Sequence, residues 1–94
     1  MSVNKKFIAL NKVGLHARPA AKFVKYATSN KQNSIWIENL TKQTPRVNAK
    51  SFTMVLSISV QQNEEVQITV EGPDAENILL EFSNMFETKF GEEE

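Results

Sequence analysis

Residues 14–19, Gly-Leu-His-Ala-Arg-Pro, constrain the fold more than any other stretch, because the period of the apolar residues changes there. Upstream, the apolar residues follow the two-residue period of a strand, and downstream they follow the period of a helix. Proline is tolerated in the first turn of a helix, where its missing N–H would have no intrahelical acceptor anyway. Pro19 therefore marks the start of a helix, and His16 is expected at or next to the N-cap.

Four segments have the alternation of strands, and three have the apolar stripe of a helix. The predicted strands are residues 5–10, 34–38, 46–49 and 66–70. The predicted helices begin after His16, at Ser51 and at residues 72–74. Their apolar stripes are Ala20, Phe23, Val24 and Ala27, then Phe52, Val55, Leu56 and Ile58, and finally Ala75, Ile78, Leu79, Phe82, Met85 and Phe86. A strand is the alternative interpretation of residues 57–60.

Polar residues set the boundaries of these elements. Turns are expected at residues 11–14 and 61–64, and a polar connection at residues 39–45. Lys89 and Gly91 are stop signals for the last helix, and a frayed acidic tail is expected at residues 92–94. The order β-α-β-β-α-β-α, in one domain spanning residues 1–94, predicts an α+β two-layer sandwich with the helices on one face of a largely antiparallel sheet.

The composition excludes several kinds of site. The chain has no cysteine and His16 is its one histidine, so we expect no disulfide and no metal site. It has no Walker-type glycine loop or other motif of a nucleotide site, and no cofactor is expected. No apolar run approaches the ~20 residues of a membrane span, and the amino end lacks the pattern of a signal peptide. A cytoplasmic protein without membrane insertion is expected.

The formal net charge is zero, but the charges are segregated along the chain. Residues 1–61 contain ten basic side chains and one acid, whereas residues 62–94 contain ten acids and one base. Two solvated faces within one domain would explain this, and so would a basic surface for an acidic protein or a phosphate. A nucleic-acid surface is a weaker alternative, because Trp36 is isolated and clustered aromatic side chains for base stacking are missing.

A helix N-terminus beside His16 is suited to phosphate. The first N–H groups, on Ala17 and Arg18, have no intrahelical acceptor, and the helix dipole adds positive potential. The guanidinium of Arg18 offers a planar pair of donors for phosphoryl oxygens. Histidine itself can carry a proton or a covalently bound group near neutral pH. A structural cap is the alternative role for His16.

The motif at residues 14–20 resembles the active-site signature of the HPr family, the phosphocarriers of the bacterial phosphoenolpyruvate-dependent sugar phosphotransferase system. The similarity returns at residues 48–51 and 68–72, and next to the motif it continues through Ala21, Phe23, Val24, Lys25 and Ala27. It implies an open-faced two-layer β-sandwich, in which three helices cover one face of a four-stranded antiparallel sheet. Val13 stands where many members have a small polar residue, and Thr53-Met54 also departs from the common pattern.

The resemblance implies a set of roles. His16 would accept a phosphoryl group from phospho-enzyme I and pass it to a sugar-specific enzyme IIA, and Arg18 would stabilise the group. The protein would be a monomeric carrier without substrate turnover of its own. Its docking surface would consist of Ala21, Lys25, Phe52 and Leu56.

Ser51 has two interpretations. It is a suitable N-cap for the second helix. The resemblance adds a regulatory serine, phosphorylated by HPr kinase/phosphorylase, whose phosphate would disturb docking of an acidic partner. The competing functional hypothesis is a regulatory binding module that acts mainly through protein–protein contacts.

Overall fold

The computed structural model describes residues 2–92 as four strands, three α-helices and a short 3₁₀ turn. The order β-α-β-β-α-β-α matches the prediction. The elements are β1 (Ser2–Ile8), α1 (Ala17–Ser29), β2 (Ser34–Asn39), β3 (Val47–Asn48), α2 (Phe52–Ser57), β4 (Glu65–Glu71), α3 (Ala75–Glu87) and the 3₁₀ turn Lys89–Gly91.

The strands form one antiparallel sheet in the order β1-β4-β2-β3. One face is apolar, because alternate residues of β2 and β4, such as Ile37 and its register partner Ile68, are fully buried. The helices cover this face, and Phe23 of α1 contacts Phe82 of α3 with ring centroids 4.9 Å apart. The predicted α+β open-faced sandwich is thus confirmed.

The other face of the sheet carries Trp36. Its indole N–H donates to a carboxylate oxygen of Glu71 at 3.1 Å, and the guanidinium of Arg46 lies 4.7 Å from the ring centroid. Thr69, the register partner of Trp36, is buried. Half-buried and paired in this way, Trp36 is part of the sheet surface.

Several predicted boundaries were wrong. β1 begins at Ser2 rather than residue 5, because its polar first residues pair with the end of β4, and it ends at Ile8. Asn39, assigned to a connection, is the fully buried last residue of β2. The alternative strand at residues 57–60 is also wrong, since α2 continues to Ser57 and Ser59 has a positive φ of 47°.

The C-terminal segment is better ordered than predicted. The 3₁₀ turn buries Phe90, whose ring centroid lies 4.9 Å from that of Phe86. Glu92, predicted to be frayed, is half-buried and hydrogen-bonded. The rest of the predicted acidic tail, Glu93 and Glu94, lies outside the described residues. Within residues 2–92, no helix has the length and apolarity needed to cross a membrane.

Candidate functional site

A tight loop between β1 and α1 positions His16. Gly14 has a φ of +58°, and its N–H donates to the carbonyl of Asn11 at 3.1 Å. The next N–H, on Leu15, donates to the carbonyl of Val60 at 3.0 Å. A Cβ on Gly14 would lie 2.2 Å from that same carbonyl oxygen, so both the conformation and the packing require glycine.

His16 is the N-cap of α1, as predicted. Its backbone is extended, with φ −75° and ψ −173°, and its carbonyl accepts the N–H of Ala20 at 2.9 Å. Within the described residues the imidazole makes no capping hydrogen bond to α1, and it is exposed to solvent. The backbone of His16 therefore starts the helix while its side chain is available for chemistry. The structural-cap role is thus filled by the backbone of His16 and not by its side chain.

Of the four residues that follow His16, two are buried and two are exposed. Pro19 and Ala20 are buried, and Pro19 is the third helical residue, where its missing N–H removes no intrahelical bond. Ala17 and Arg18, like His16, are exposed to solvent. The first turn of α1 presents donors on one side and packs into the core on the other.

An open groove of about 590 Å³ borders His16. His16, Val13 and Leu15 line it from the loop, and Leu56 lines it from α2. The remaining lining residues are Lys12, Ser59, Val60, Gln61 and Gln62. The groove brings the histidine and one predicted docking residue, Leu56, to a common surface.

The other predicted docking residues lie beside this groove rather than in it. Ala21 and Lys25 are exposed on α1, and Phe52 is 39% exposed at the start of α2, which packs against α1. Ser51 is the N-cap of α2, and its Oγ accepts the N–H of Met54 at 3.4 Å, which is a long hydrogen bond. The N-cap interpretation of Ser51 is confirmed.

Polar contacts of Glu64 stabilise the segment after α2, which lines the groove on the side away from the His16 loop. One carboxylate oxygen of Glu64 accepts the N–H of Gln61 at 2.9 Å and the side-chain amide of Asn39 at 3.0 Å, and lies 3.2 Å from Nζ of Lys42. Burial, the largest single influence, raises the pKa of Glu64, but these donors together outweigh it and the pKa is lowered. Glu64 is therefore an ionised anchor for the turn after α2.

Sequence reasoning missed Asn11, Asn39 and Glu64. Asn11 could be recognised from the sequence as a turn residue, because asparagine side chains commonly hydrogen-bond to nearby backbone groups. Other partners of these side chains, however, such as Glu92 for Asn11 and Glu64 for Asn39, are distant in sequence and leave no local pattern. His16 and Ser51 were found because helix caps are local features.

Comparison with known proteins identifies the family of this chain. A family model described as "PTS HPr component phosphorylation site" matches residues 3–88. Phosphocarrier protein HPr of Treponema pallidum (strain Nichols) is 40% identical over 84 residues, 89% of this chain and 91% of that protein. The multiphosphoryl transfer protein of Vibrio cholerae is 45% identical over 69 residues, 73% of this chain and 17% of that protein. The crystal structure of HPr-C-His from Thermoanaerobacter tengcongensis matches with a TM-score of 0.88 and 39% identity, covering 98% of this chain and 99% of that one.

The chain belongs to the HPr family of the phosphotransferase system. It is a phosphocarrier, a protein that holds and passes on a phosphoryl group rather than an enzyme that turns over a substrate. Its partners are phosphotransfer proteins of that system. The resemblance seen in the sequence is confirmed.

Proposed function

We propose that His16 is the residue that carries the phosphoryl group, on Nδ1. The group comes from a phosphohistidine of enzyme I, where a P–N bond breaks as the bond to His16 forms. The same exchange in the next step delivers it to a sugar-specific enzyme IIA. The exposed imidazole at the N-cap of α1, unused for capping, is the observation that carries this proposal.

The start of α1 supplies electrostatic stabilisation. The N–H groups of Ala17 and Arg18 have no intrahelical acceptor, and the helix dipole favours negative charge there. The guanidinium of Arg18 adds a bidentate donor for phosphoryl oxygens. Phosphoryl transfer depends mainly on positioning and charge stabilisation, so this small set of groups is sufficient for a carrier.

Partner docking uses a surface formed by Leu56, which lines the groove, and by Ala21, Lys25 and Phe52, which lie beside it. On α2, Phe52 is exposed and Leu56 is half-buried, and Lys25 adds positive charge on α1. A basic surface with an apolar centre fits acidic grooves on enzyme I and enzyme IIA, and complementary charge speeds their encounter. Ten of the eleven basic residues of the chain lie in residues 1–61, which include this surface.

We propose a regulatory role for Ser51 as a substrate of HPr kinase/phosphorylase. Its hydroxyl is half-exposed at the N-cap of α2, next to the docking residue Phe52. A phosphate there would add about two negative charges beside a surface suited to acidic partners. The carrier would work as a cytoplasmic monomer, since each partner needs this surface free.

Phosphorylation by enzyme I and phosphoenolpyruvate tests the role of His16. Wild type should acquire one acid-labile phosphate, because phosphohistidine hydrolyses in acid. His16→Ala should acquire none, and Ser51→Ala should be labelled like wild type. Acid-labile label on His16→Ala would refute the assignment. Intact mass checks the identity of each variant, and thermal unfolding shows that it is folded.

A further inference from the structure

Asn11 makes a connection that the phosphocarrier role does not by itself explain. Its side chain is fully buried at the base of the His16 loop. The amide nitrogen donates to the carbonyl of Gly14 at 2.6 Å and to Oε1 of Glu92 at 2.9 Å. A backbone carbonyl and a carboxylate are both acceptors, so the NH₂ group, with its two hydrogens, must face them.

The segment that contains Glu92, the C-terminal partner of Asn11, is itself held in place by packing and a hydrogen bond. Phe90, two residues before Glu92, is buried against Phe86 of α3. Nζ of Lys22, on α1, donates to the carbonyl of Phe90 at 2.7 Å. The segment that ends in Glu92 is thus anchored to two helices, and Asn11 links this anchored segment to the carbonyl two residues before His16.

We propose that Asn11, with Glu92, is a positioning residue for phosphotransfer at His16, an inference that rests on the proposed function. The Asn11–Glu92 link holds Gly14 in its left-handed conformation, so it sets where the N-cap and its imidazole stand relative to Ala17 and Arg18. A misplacement of about 1 Å can reduce the rate of a reaction by about 100-fold. Asn11 touches neither the phosphoryl group nor the partner and acts through the backbone of the loop.

Four variants test this link. Asn11→Asp keeps the volume but turns an oxygen toward two acceptors, and Glu92→Ala removes one acceptor at a half-buried site. Glu92→Gln keeps Oε1 as an acceptor. The matched control is Asn33→Asp, because Asn33 is also buried and donates its amide to a backbone carbonyl, that of Pro73. Asn33 precedes Ser34, which pairs with Glu71. Glu71 is at one end of β4, and Ile8 and the His16 loop are at the other end.

Two readouts are needed, both corrected for the folded fraction at the assay temperature. With each variant as the phosphoryl acceptor of enzyme I, Asn11→Asp should lower the kcat of enzyme I about tenfold and Glu92→Ala about threefold, with little change in KM. Glu92→Gln and Asn33→Asp should transfer like wild type. In hydrogen exchange, the Leu15 N–H should exchange faster in Asn11→Asp and Glu92→Ala but not in Asn33→Asp.

The outcomes separate this inference from the proposed function. If enzyme I phosphorylates folded Asn11→Asp with the wild-type kcat, the positioning role is overturned. An equal loss with Asn33→Asp overturns it as well. If wild type takes no phosphate on His16, the proposed function fails, and the exchange measurement alone decides the Asn11–Glu92 link. Unchanged Leu15 exchange in both Asn11→Asp and Glu92→Ala would then overturn it.

Discussion

Leu15 donates its backbone N–H to the carbonyl of Val60 at 3.0 Å, which ties the loop before His16 to the segment after α2. Gly14 lies against the same carbonyl oxygen, closely enough that any side chain would collide with it. The position of the histidine is thus set by a backbone contact between two loops, and the strength of that contact can be tested.

Gly14→Ala should destabilise the protein by about 3 kcal/mol, because a Cβ would overlap the Val60 carbonyl and alanine disfavours a φ of +58°. Gly91→Ala is the matched control. It shares a positive φ, of +76°, but its Cβ would meet only Nζ of Lys22 at 3.4 Å, so about 1 kcal/mol is expected. Urea denaturation measures both, and equal losses would contradict the packing argument.

Glu64→Gln should reduce stability by about 1 kcal/mol at pH 7, since a neutral amide oxygen accepts more weakly than a carboxylate. The pKa of Glu64 is lower in the folded protein than its ordinary value of 4.5. The carboxylate's contribution is therefore fully present above pH 4.5 and is lost as the pH falls through the folded-state pKa. Thermal unfolding of both proteins from pH 7 to pH 3 should show the difference shrinking, and a difference that grows toward low pH would refute it.

Arg18→Lys should lower the rate of phosphotransfer to His16 about tenfold, because a lysine keeps the charge but loses the bidentate donor pair. Arg18→Ala should lower it further. Lys31→Ala, an exposed cation beyond the other end of α1, controls for the loss of one positive charge. Single-turnover transfer from phospho-enzyme I gives the rates, and a wild-type rate for Arg18→Lys would exclude a bidentate contact.

Ser51→Ala should cost about 0.5 kcal/mol of stability, the low end for an N-cap, because the bond to Met54 is long at 3.4 Å. Ser51→Asp should retain a cap and should weaken binding to enzyme I through its negative charge. Urea denaturation and calorimetric titration measure the two effects. Ser57→Ala is the control on the same helix, and tighter binding by Ser51→Asp would refute the regulatory proposal.

Leu56→Ala should weaken binding to enzyme I about tenfold, because Leu56 borders the groove beside His16. Leu80→Ala is the control on α3, where Leu80 is 67% exposed and outside the proposed docking surface. Calorimetric titration with enzyme I compares the two variants. Equal losses of affinity would place the docking surface elsewhere.

The sequence was sufficient for the element order and for the N-cap position of His16. Both depend on local features, the change in apolar period and the position of Pro19 within α1. The N-cap at Ser51 was predictable for the same reason. The beginning of β1 was not, because its polar residues belong to the strand only through pairing with β4.

The polar side chains that support the site could not be predicted from the sequence. Asn39 has the composition of a loop residue, yet it is fully buried because Ile58 and Glu64 supply acceptors for its amide. Asn11 and Glu92 lie at opposite ends of the chain and meet only in the folded protein. Such pairs are decided by tertiary packing, which local propensity does not contain.

The sheet order β1-β4-β2-β3 has a consequence for synthesis of the chain. The first strand has no partner until β4, at Glu65–Glu71, has been made. The loop that carries His16 is closed by Val60 and Glu92, which are also made late. Contacts this distant in sequence form slowly, since the intervening chain must first lose its freedom. His16, the proposed phosphoryl acceptor, is translated well before Glu92, so a nascent chain that has not reached Glu92 lacks the finished site.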